Sequence, residues 1–361
     1  MMDFAKGIVS SGNWYRLRSA MDRAAAGKRI AVGFIGGSIT QGSLSSTPQT
    51  CYAYLVYKWW EERFPDTRYI NAGIGGTTSQ FGVARVEEDL LRYGPDVVFI
   101  EFSVNDSDTA LFRETYEGLV RKVWKTGAAV VLIHNVRYDT GDSAEDIHLQ
   151  IGRHYHLPCV SMKSTIYPQV AFGEIPNREI TPDDLHPNDA GHALVAEVVR
   201  SLLDQVYASE EPHREEPILP APLTANQYEE SLRYQNHNSR PQLDGFTADD
   251  TPQEHITQMF RRGFTAWKKG DRITFSVEGT GIAVQYRKSV KKPAPIARVT
   301  VDEKTAVLLD ANFQEDWGDC LYVDTVLVHG EDKRHKVEIE ITEAHPDDQV
   351  PFYLVSVIGS R

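Results

Sequence analysis

The sequence predicts an α/β domain built on a parallel sheet, followed by a smaller all-β domain of jelly-roll type. Three observations carry this expectation. Short apolar runs alternate with helical stretches up to about residue 207, the pattern of a parallel sheet with helices on both faces. Beyond about residue 222 the hydrophobic period changes to two, with turn signals between short strands, as in a β-sandwich. Between them lies Glu210-Glu211-Pro212-His213-Arg214-Glu215-Glu216-Pro217-Ile218-Leu219-Pro220-Ala221-Pro222, whose proline and charge mark a semi-rigid linker and a domain boundary. A chain of 361 residues is also too long for one ordinary core. The expected division is 1–207, a linker over 208–222, and 223–361.

The elements follow in order. Residues 14–24 carry apolar positions at helical spacing, with Gly27 available as a stop. Ile30-Ala31-Val32-Gly33-Phe34-Ile35 is an apolar run of strand length, as expected of a buried parallel strand, and it halts at Gly36-Gly37-Ser38. Residues 52–64 read as a helix ended by Pro65, its aromatics serving core packing. Strand 68–72 leads into the glycine-rich Gly73-Ile74-Gly75-Gly76-Thr77-Thr78-Ser79, and a helix over 83–92 follows. Strand 96–102 runs directly into Ser103-Val104-Asn105-Asp106. Helix 110–125, strand 128–134, helix 144–155, strand 158–161 and a last helix over 190–206 complete the domain. In the β domain, 272–277, 281–286, 298–302, 336–341 and 352–357 all alternate. No internal repeat of the solenoid or propeller kind is visible.

Composition narrows the function. A formal charge of −13 disfavours nucleic acid or an anionic membrane surface as partner and suits a neutral substrate. No apolar run approaches the roughly 20 residues of a membrane span. The amino-terminal residues have no signal-peptide pattern, so the cytoplasm is the expected compartment. Three separated cysteines, Cys51, Cys159 and Cys320, form neither a disulfide framework nor a zinc-ligand spacing, and no metal or cofactor is expected.

A small polar residue just past the carboxyl end of a buried strand sits where open α/β sheets place their ligands. Alone, Gly36-Gly37-Ser38 is more readily read as a turn without chemistry. The other loops change that reading. Serine needs a base within hydrogen-bond reach, and His186, in Asp183-Asp184-Leu185-His186-Pro187, is positioned to supply it. Asp183, three residues earlier, would orient the imidazole and stabilise its charged form; Asp184 is the alternative. A tetrahedral oxyanion needs donors: the Ser38 N–H, a backbone N–H of the Gly75-Gly76 loop and the Asn105 amide are candidates. His192 is read as helix packing rather than as the base, His154 and His156 complete no metal site, and Asp106 as a brace for its loop.

Taken together, these blocks resemble the SGNH, or GDSL-type, hydrolases. Gly36-Gly37-Ser38-Ile39-Thr40 is similar to the first block, Asn71 to Thr78 to the second, Ser103-Val104-Asn105-Asp106 to the third, and Asp183 to Pro187 to the last, over roughly residues 28–207. The resemblance implies an α/β/α sandwich and a serine carboxylic ester hydrolase with Ser38, Asp183 and His186 as triad and Ser38, Gly76 and Asn105 as oxyanion hole. Gly37 stands where the family usually has aspartate, and Ser103 where it has glycine. No Gly-x-Ser-x-Gly elbow of the α/β-hydrolase fold proper is present.

Substrate is set by more than fold. The chain has no evident lipase lid or amphipathic membrane helix. Its β domain loosely resembles jelly-roll carbohydrate-binding modules, and the pairing resembles bacterial carbohydrate acetylesterases, in particular acetyl-mannan esterases. The implied reaction is removal of O-acetyl groups from mannan- or xylan-type oligosaccharides after import into the cell; a homodimer is one assembly open to the chain. A general short-chain ester or thioester hydrolase is the alternative enzyme, and a carbohydrate-binding protein with a vestigial hydrolase domain the alternative of another class. Trp317, in the polar Asn312–Asp319 loop, is either a stacking platform for sugar or a buried anchor of the small domain.

Overall fold

A computed structural model describes residues 2–209, 215–252 and 259–361. These divide into two compact units, Met1–Asn226 and Gln227–Arg361. Residues 210–214 of the expected linker lie outside the described residues. The second unit starts four residues later than the expected 223. Glu117 explains why: its carboxylate accepts the backbone N–H groups of Leu223 at 2.6 Å and Thr224 at 2.7 Å, tying that stretch to the first unit.

The first unit is built on strands β1 (Ile8–Ser10), β2 (Ile30–Gly36), β3 (Thr67–Gly73), β4 (Val97–Glu101), β5 (Ala129–His134) and β6 (Cys159–Ser161). Their order is β1-β6-β5-β4-β2-β3, parallel throughout except for β1. Strands β2, β4 and β5 are buried along their whole length, which is why they are continuous apolar runs with no alternation. Edge strand β1, three residues long, carries too little pattern to be read from sequence. The helices are α1 (Tyr15–Ala25), α2 (Ser38–Gln41), α3 (Tyr52–Arg63), α4 (Ser79–Asp89), α5 (Ala110–Trp124), α6 (Glu145–His154), α7 (Ile166–Ala171), α8 (Asn177–Ile180) and α9 (Asp189–Ala208). No helix of the described residues is long and apolar enough to cross a membrane.

One topological fact places the site. Strand β2 pairs with β3 on one side and β4 on the other. The chain therefore reverses its direction of travel across the sheet at β2, and the loops after β2 and β4 flank the crevice so opened. Ser38 follows β2, and Asn105 follows β4. Both segments stand on a core that includes Val32, Phe34, Val97, Phe99, Val131 and Val199.

Helix α4 begins four residues earlier than the hydrophobic pattern suggests. Its first N–H, that of Ser79, is accepted by Asp106 Oδ1 at 2.9 Å, while the N-cap residue Thr78 makes no side-chain cap bond. A carboxylate from a distant loop thus supplies the cap that local sequence lacks.

The second unit holds two antiparallel sheets. One runs β15 (Cys320–Leu327), β12 (Gly281–Lys288), β17 (Phe352–Ser360), β10 (Gly263–Ala266), β9 (Thr247–Asp249), with β7 (Leu232–Tyr234) also pairing β17. The other runs β14 (Thr305–Asp310), β13 (Ile296–Val301), β16 (Lys333–Glu343), β11 (Arg272–Gly279), β8 (Gln242–Asp244). Inward residues of both sheets, Val284, Tyr286 and Phe352 from one and Ile273, Val299 and Val337 from the other, share one core. Strand β11 alternates as expected, but β17 is buried along its whole length. One polar pair is buried between β12 and β17, Ser356 Oγ donating to Gln285 Oε1 at 2.5 Å.

Candidate active site

Ser38 opens the one-turn helix α2, directly after the strand that ends at Gly36. As the first helical residue it keeps a backbone N–H with no intrahelical acceptor. Its side chain is mostly buried, and its Oγ lies 2.8 Å from His186 Nε2. His186 Nδ1 lies 2.6 Å from Asp183 Oδ2. Asp183 Oδ1 accepts the backbone N–H of His186 at 2.7 Å and of Leu185 at 3.1 Å, which fixes the carboxylate before the imidazole leans on it. Partial burial alone would raise the Asp183 pKa; the hydrogen bonds from the His186 ring and from these amides hold it below the usual carboxylate value instead. The loop and the strand end, 148 residues apart in sequence, therefore meet through one continuous chain of hydrogen bonds.

The neighbouring Asp184 is turned out of this chain. Its φ of +67° swings the side chain toward Asn177 Nδ2 at 2.5 Å and Arg178 Nη2 at 2.8 Å. His192 is buried in α9, where Nδ1 accepts the Tyr52 N–H at 3.3 Å and Nε2 faces the Ser43 carbonyl at 3.2 Å. Burial drives its pKa down to about 4. His154 Nε2 lies 2.7 Å from the Ala221 carbonyl. Among the described residues, no group of three or more His, Cys, Asp or Glu side chains is placed to hold a metal ion.

The second and third blocks close around Ser38. Asn71 Nδ2 donates to the Thr40 carbonyl at 2.8 Å and Asn71 Oδ1 accepts the Gly73 N–H at 2.8 Å, joining α2 to the glycine-rich loop. The Gly75 N–H is taken up by Gln41 Oε1 at 2.6 Å. Gly76 is different: it is exposed, has a φ of +67° that favours glycine, and among the described residues its N–H has no hydrogen-bond partner. Asn105 lies against Gly37. A Cβ on Gly37 would fall 2.1 Å from Asn105 Oδ1 and 3.3 Å from Nδ2. A side chain at position 37 would require the Asn105 amide to shift, and Nδ2 is the end of the amide farther from Gly37.

Among the solved structures, a two-domain esterase active on acetylated mannans is 60% identical, with a TM-score of 0.97 over 100% of this chain and 99% of that one. Residues 34–194 match the GDSL-like Lipase/Acylhydrolase family. The chain belongs to the GDSL-like lipase/acylhydrolase family. The esterase active on acetylated mannans has also been solved after co-crystallisation with mannopentaose, and that structure matches at 60% identity and a TM-score of 0.95, over 100% of this chain and 98% of that one. An acetylxylan esterase from Geobacillus stearothermophilus is 21% identical, at a TM-score of 0.42, over 49% of this chain and 95% of that one. No curated protein sequence matches.

In this GDSL-like hydrolase, several residues under the site escape a reading by motif. Arg85, fully buried in α4, donates to the Ala72 carbonyl at 2.6 Å and the Gly36 carbonyl at 3.1 Å, pinning the ends of β2 and β3 side by side. Glu101, the last residue of β4, accepts from Thr40 Oγ1 at 3.2 Å, and burial pushes its pKa up to about 7. A carboxylate inside an apolar strand was the available signal for Glu101. Nothing local distinguishes Arg85 from any helix-surface arginine. In the second unit, Trp317 is 58% exposed, so it is not a buried anchor. Its ring meets Phe313 edge-on at 5.0 Å, and its Nε1 donates to Glu315 Oε2 at 2.5 Å.

Proposed function

We propose that this chain is a serine esterase that removes O-acetyl groups from mannan-type oligosaccharides through an acetyl-enzyme. The observation that carries the reading is the Ser38–His186–Asp183 chain, with its contacts of 2.8 Å and 2.6 Å. The likeness to an esterase active on acetylated mannans, over the full chain, supports the substrate class.

The steps follow from the geometry. Ser38 Oγ attacks the acetyl carbonyl carbon while His186 Nε2 takes the hydroxyl proton. Asp183 holds the Nδ1–H and stabilises the imidazolium. The carbonyl oxygen gains negative charge, held by the Ser38 N–H, the Gly76 N–H and the Asn105 amide. The sugar oxygen leaves with the proton from His186, and the acetyl group stays on Ser38. Water, deprotonated by His186, then attacks the acetyl carbonyl carbon; the Ser38 Oγ–acyl bond breaks, Ser38 Oγ takes the proton back from His186, and acetate leaves. Trp317 is read as a stacking platform for a sugar ring, since its indole is exposed and steadied by Phe313 and Glu315. A cytoplasmic location is supported by three cysteines that are all buried thiols.

Ser38→Ala is expected to abolish acetate release from acetylated mannan fragments, followed by mass spectrometry, with the fold intact. Full activity in that variant would falsify the assignment. A preference for octanoyl over acetyl esters would instead favour a general acyl hydrolase.

A further inference from the structure

We propose that Asp106 and His148 form a positioning pair that holds both oxyanion segments, the Gly76 turn and Asn105, in register with Ser38. The proposal rests on the reading of Gly76 and Asn105 as oxyanion donors.

Asp106 immediately follows Asn105, and its carboxylate makes two contacts that lead in different directions. Oδ1 accepts the Ser79 N–H at 2.9 Å. Ser79 lies three residues after Gly76 and is the first residue of α4, so this bond fixes where the glycine-rich turn ends. It also places a carboxylate at the positive end of α4, where negative charge is favoured. Oδ2 lies 3.0 Å from Nε2 of His148 on α6. Both side chains are fully buried. One carboxylate therefore ties the second block to the third, and the imidazole behind it fixes the carboxylate.

His148 has little reason to be a histidine other than Asp106. It is 0% exposed, its ring stacks on Tyr116 at 3.6 Å, and its Nδ1 has no hydrogen-bond partner among the described residues. A buried imidazole with one nitrogen unsatisfied is less favourable than an apolar ring of the same size. The bond to Asp106 offsets that loss, because a hydrogen bond to a carboxylate is stronger than one between neutral groups. Ser79 adds a further link, its Oγ lying 2.6 Å from Thr115 Oγ1 on α5. The two oxyanion segments are thus referred to the rigid α5–α6 layer rather than left to loop flexibility.

The test uses p-nitrophenyl acetate turnover by the full chain, with sites counted by the p-nitrophenol released on phosphorylation by diethyl p-nitrophenyl phosphate. Asp106→Ala is expected to lower kcat per titrated site by on the order of 10²-fold, as for loss of an oxyanion donor, with KM within threefold. His148→Phe, which keeps the stacking on Tyr116, should lower it about tenfold. The double variant should be no worse than Asp106→Ala, because His148 acts through Asp106. The inhibition constant of methylboronic acid, which becomes tetrahedral on Ser38, should rise in parallel with the loss in kcat/KM. A merely structural role would reduce the number of titratable sites and leave that constant unchanged. Should Asp106→Ala fail to fold, Asp106→Asn keeps the Ser79 contact and should match His148→Phe. Turnover within twofold of wild type in both single variants, additive losses, or an unmoved boronate constant overturns the proposal. A wild-type chain that does not titrate overturns the serine reading beneath it, a separate result.

Discussion

At the scale of single residues, the site depends on contacts with little tolerance. Asp183 uses one oxygen for two backbone amides and the other for His186, so the isosteric Asp183→Asn keeps the shape but offers an amide where the imidazole needs an acceptor. A fall of about 10⁴-fold in kcat is expected, as when a triad aspartate becomes an amide. Asp184→Asn, whose partners are Asn177 and Arg178, should remain within about threefold of wild type. Stopped-flow hydrolysis of p-nitrophenyl acetate by the two variants decides between the adjacent carboxylates; comparable losses would show that both serve His186. Gly37 is the second sensitive point. The Cβ of Gly37→Ala would lie 2.1 Å from Asn105 Oδ1, so the amide must swing away. The expected loss approaches that of removing the amide itself, on the order of 10²–10³-fold in kcat, and Asn105→Ala measured alongside is the control. If Gly37→Ala retains activity while Asn105→Ala does not, the amide is not displaced.

At the scale of elements, the three members of the hydrogen-bonded chain, Ser38, His186 and Asp183, were legible in sequence, because each sits at a loop whose composition departs from the strand or helix beside it. The apolar run ending at Gly36 needed only its length and its glycines to place Ser38 after a buried strand. The supporting contacts were not legible. Asp106 and His148 are 42 residues apart and meet only because α6 packs beside the loop after β4. The early start of α4 at Ser79 has the same origin, since its cap comes from Asp106 rather than from the preceding residue. In the β unit, alternation revealed β11, which has one buried face, and missed β15, where burial does not alternate. Helix α9 shows a further tie invisible to motif reading. Its first residue, Asp189, accepts from Ser46 N at 2.8 Å, Ser46 Oγ at 2.5 Å and Thr50 Oγ1 at 2.7 Å, linking the helix after His186 to the segment after Ser38. Asp189→Ala should therefore lower both Tm and kcat per active site, whereas loss of Tm alone would show that the tie serves stability only.

At the scale of the whole molecule, two buried groups near the site act on stability with opposite signs. Burial raises Glu101 to about 7, so between its ordinary value of 4.5 and about 7 the native state holds a proton that the unfolded chain has released. Stability from this group falls as pH rises through that window. Burial lowers His192 to about 4, so between 6.5 and about 4 the unfolded chain takes up a proton that the native state does not. Stability from this group falls as pH drops through that window, and His134, driven well below 6.5 by burial, adds to the same slope. Two histidines against one carboxylate leave a net slope, so wild-type stability should rise with pH around pH 5–6 as far as these groups are concerned. Glu101→Gln removes only the first. Relative to wild type, it should gain stability progressively from pH 4.5 to 7, by up to about 3 kcal/mol, since each unit of pKa shift corresponds to about 1.4 kcal/mol. Urea denaturation across pH 4–8 measures the difference, and a Glu101→Gln curve parallel to wild type would mean that Glu101 keeps an ordinary carboxylate pKa despite its burial. The same residue accepts from Thr40, two positions after Ser38, so the stability released by the substitution is expected to come with lower turnover.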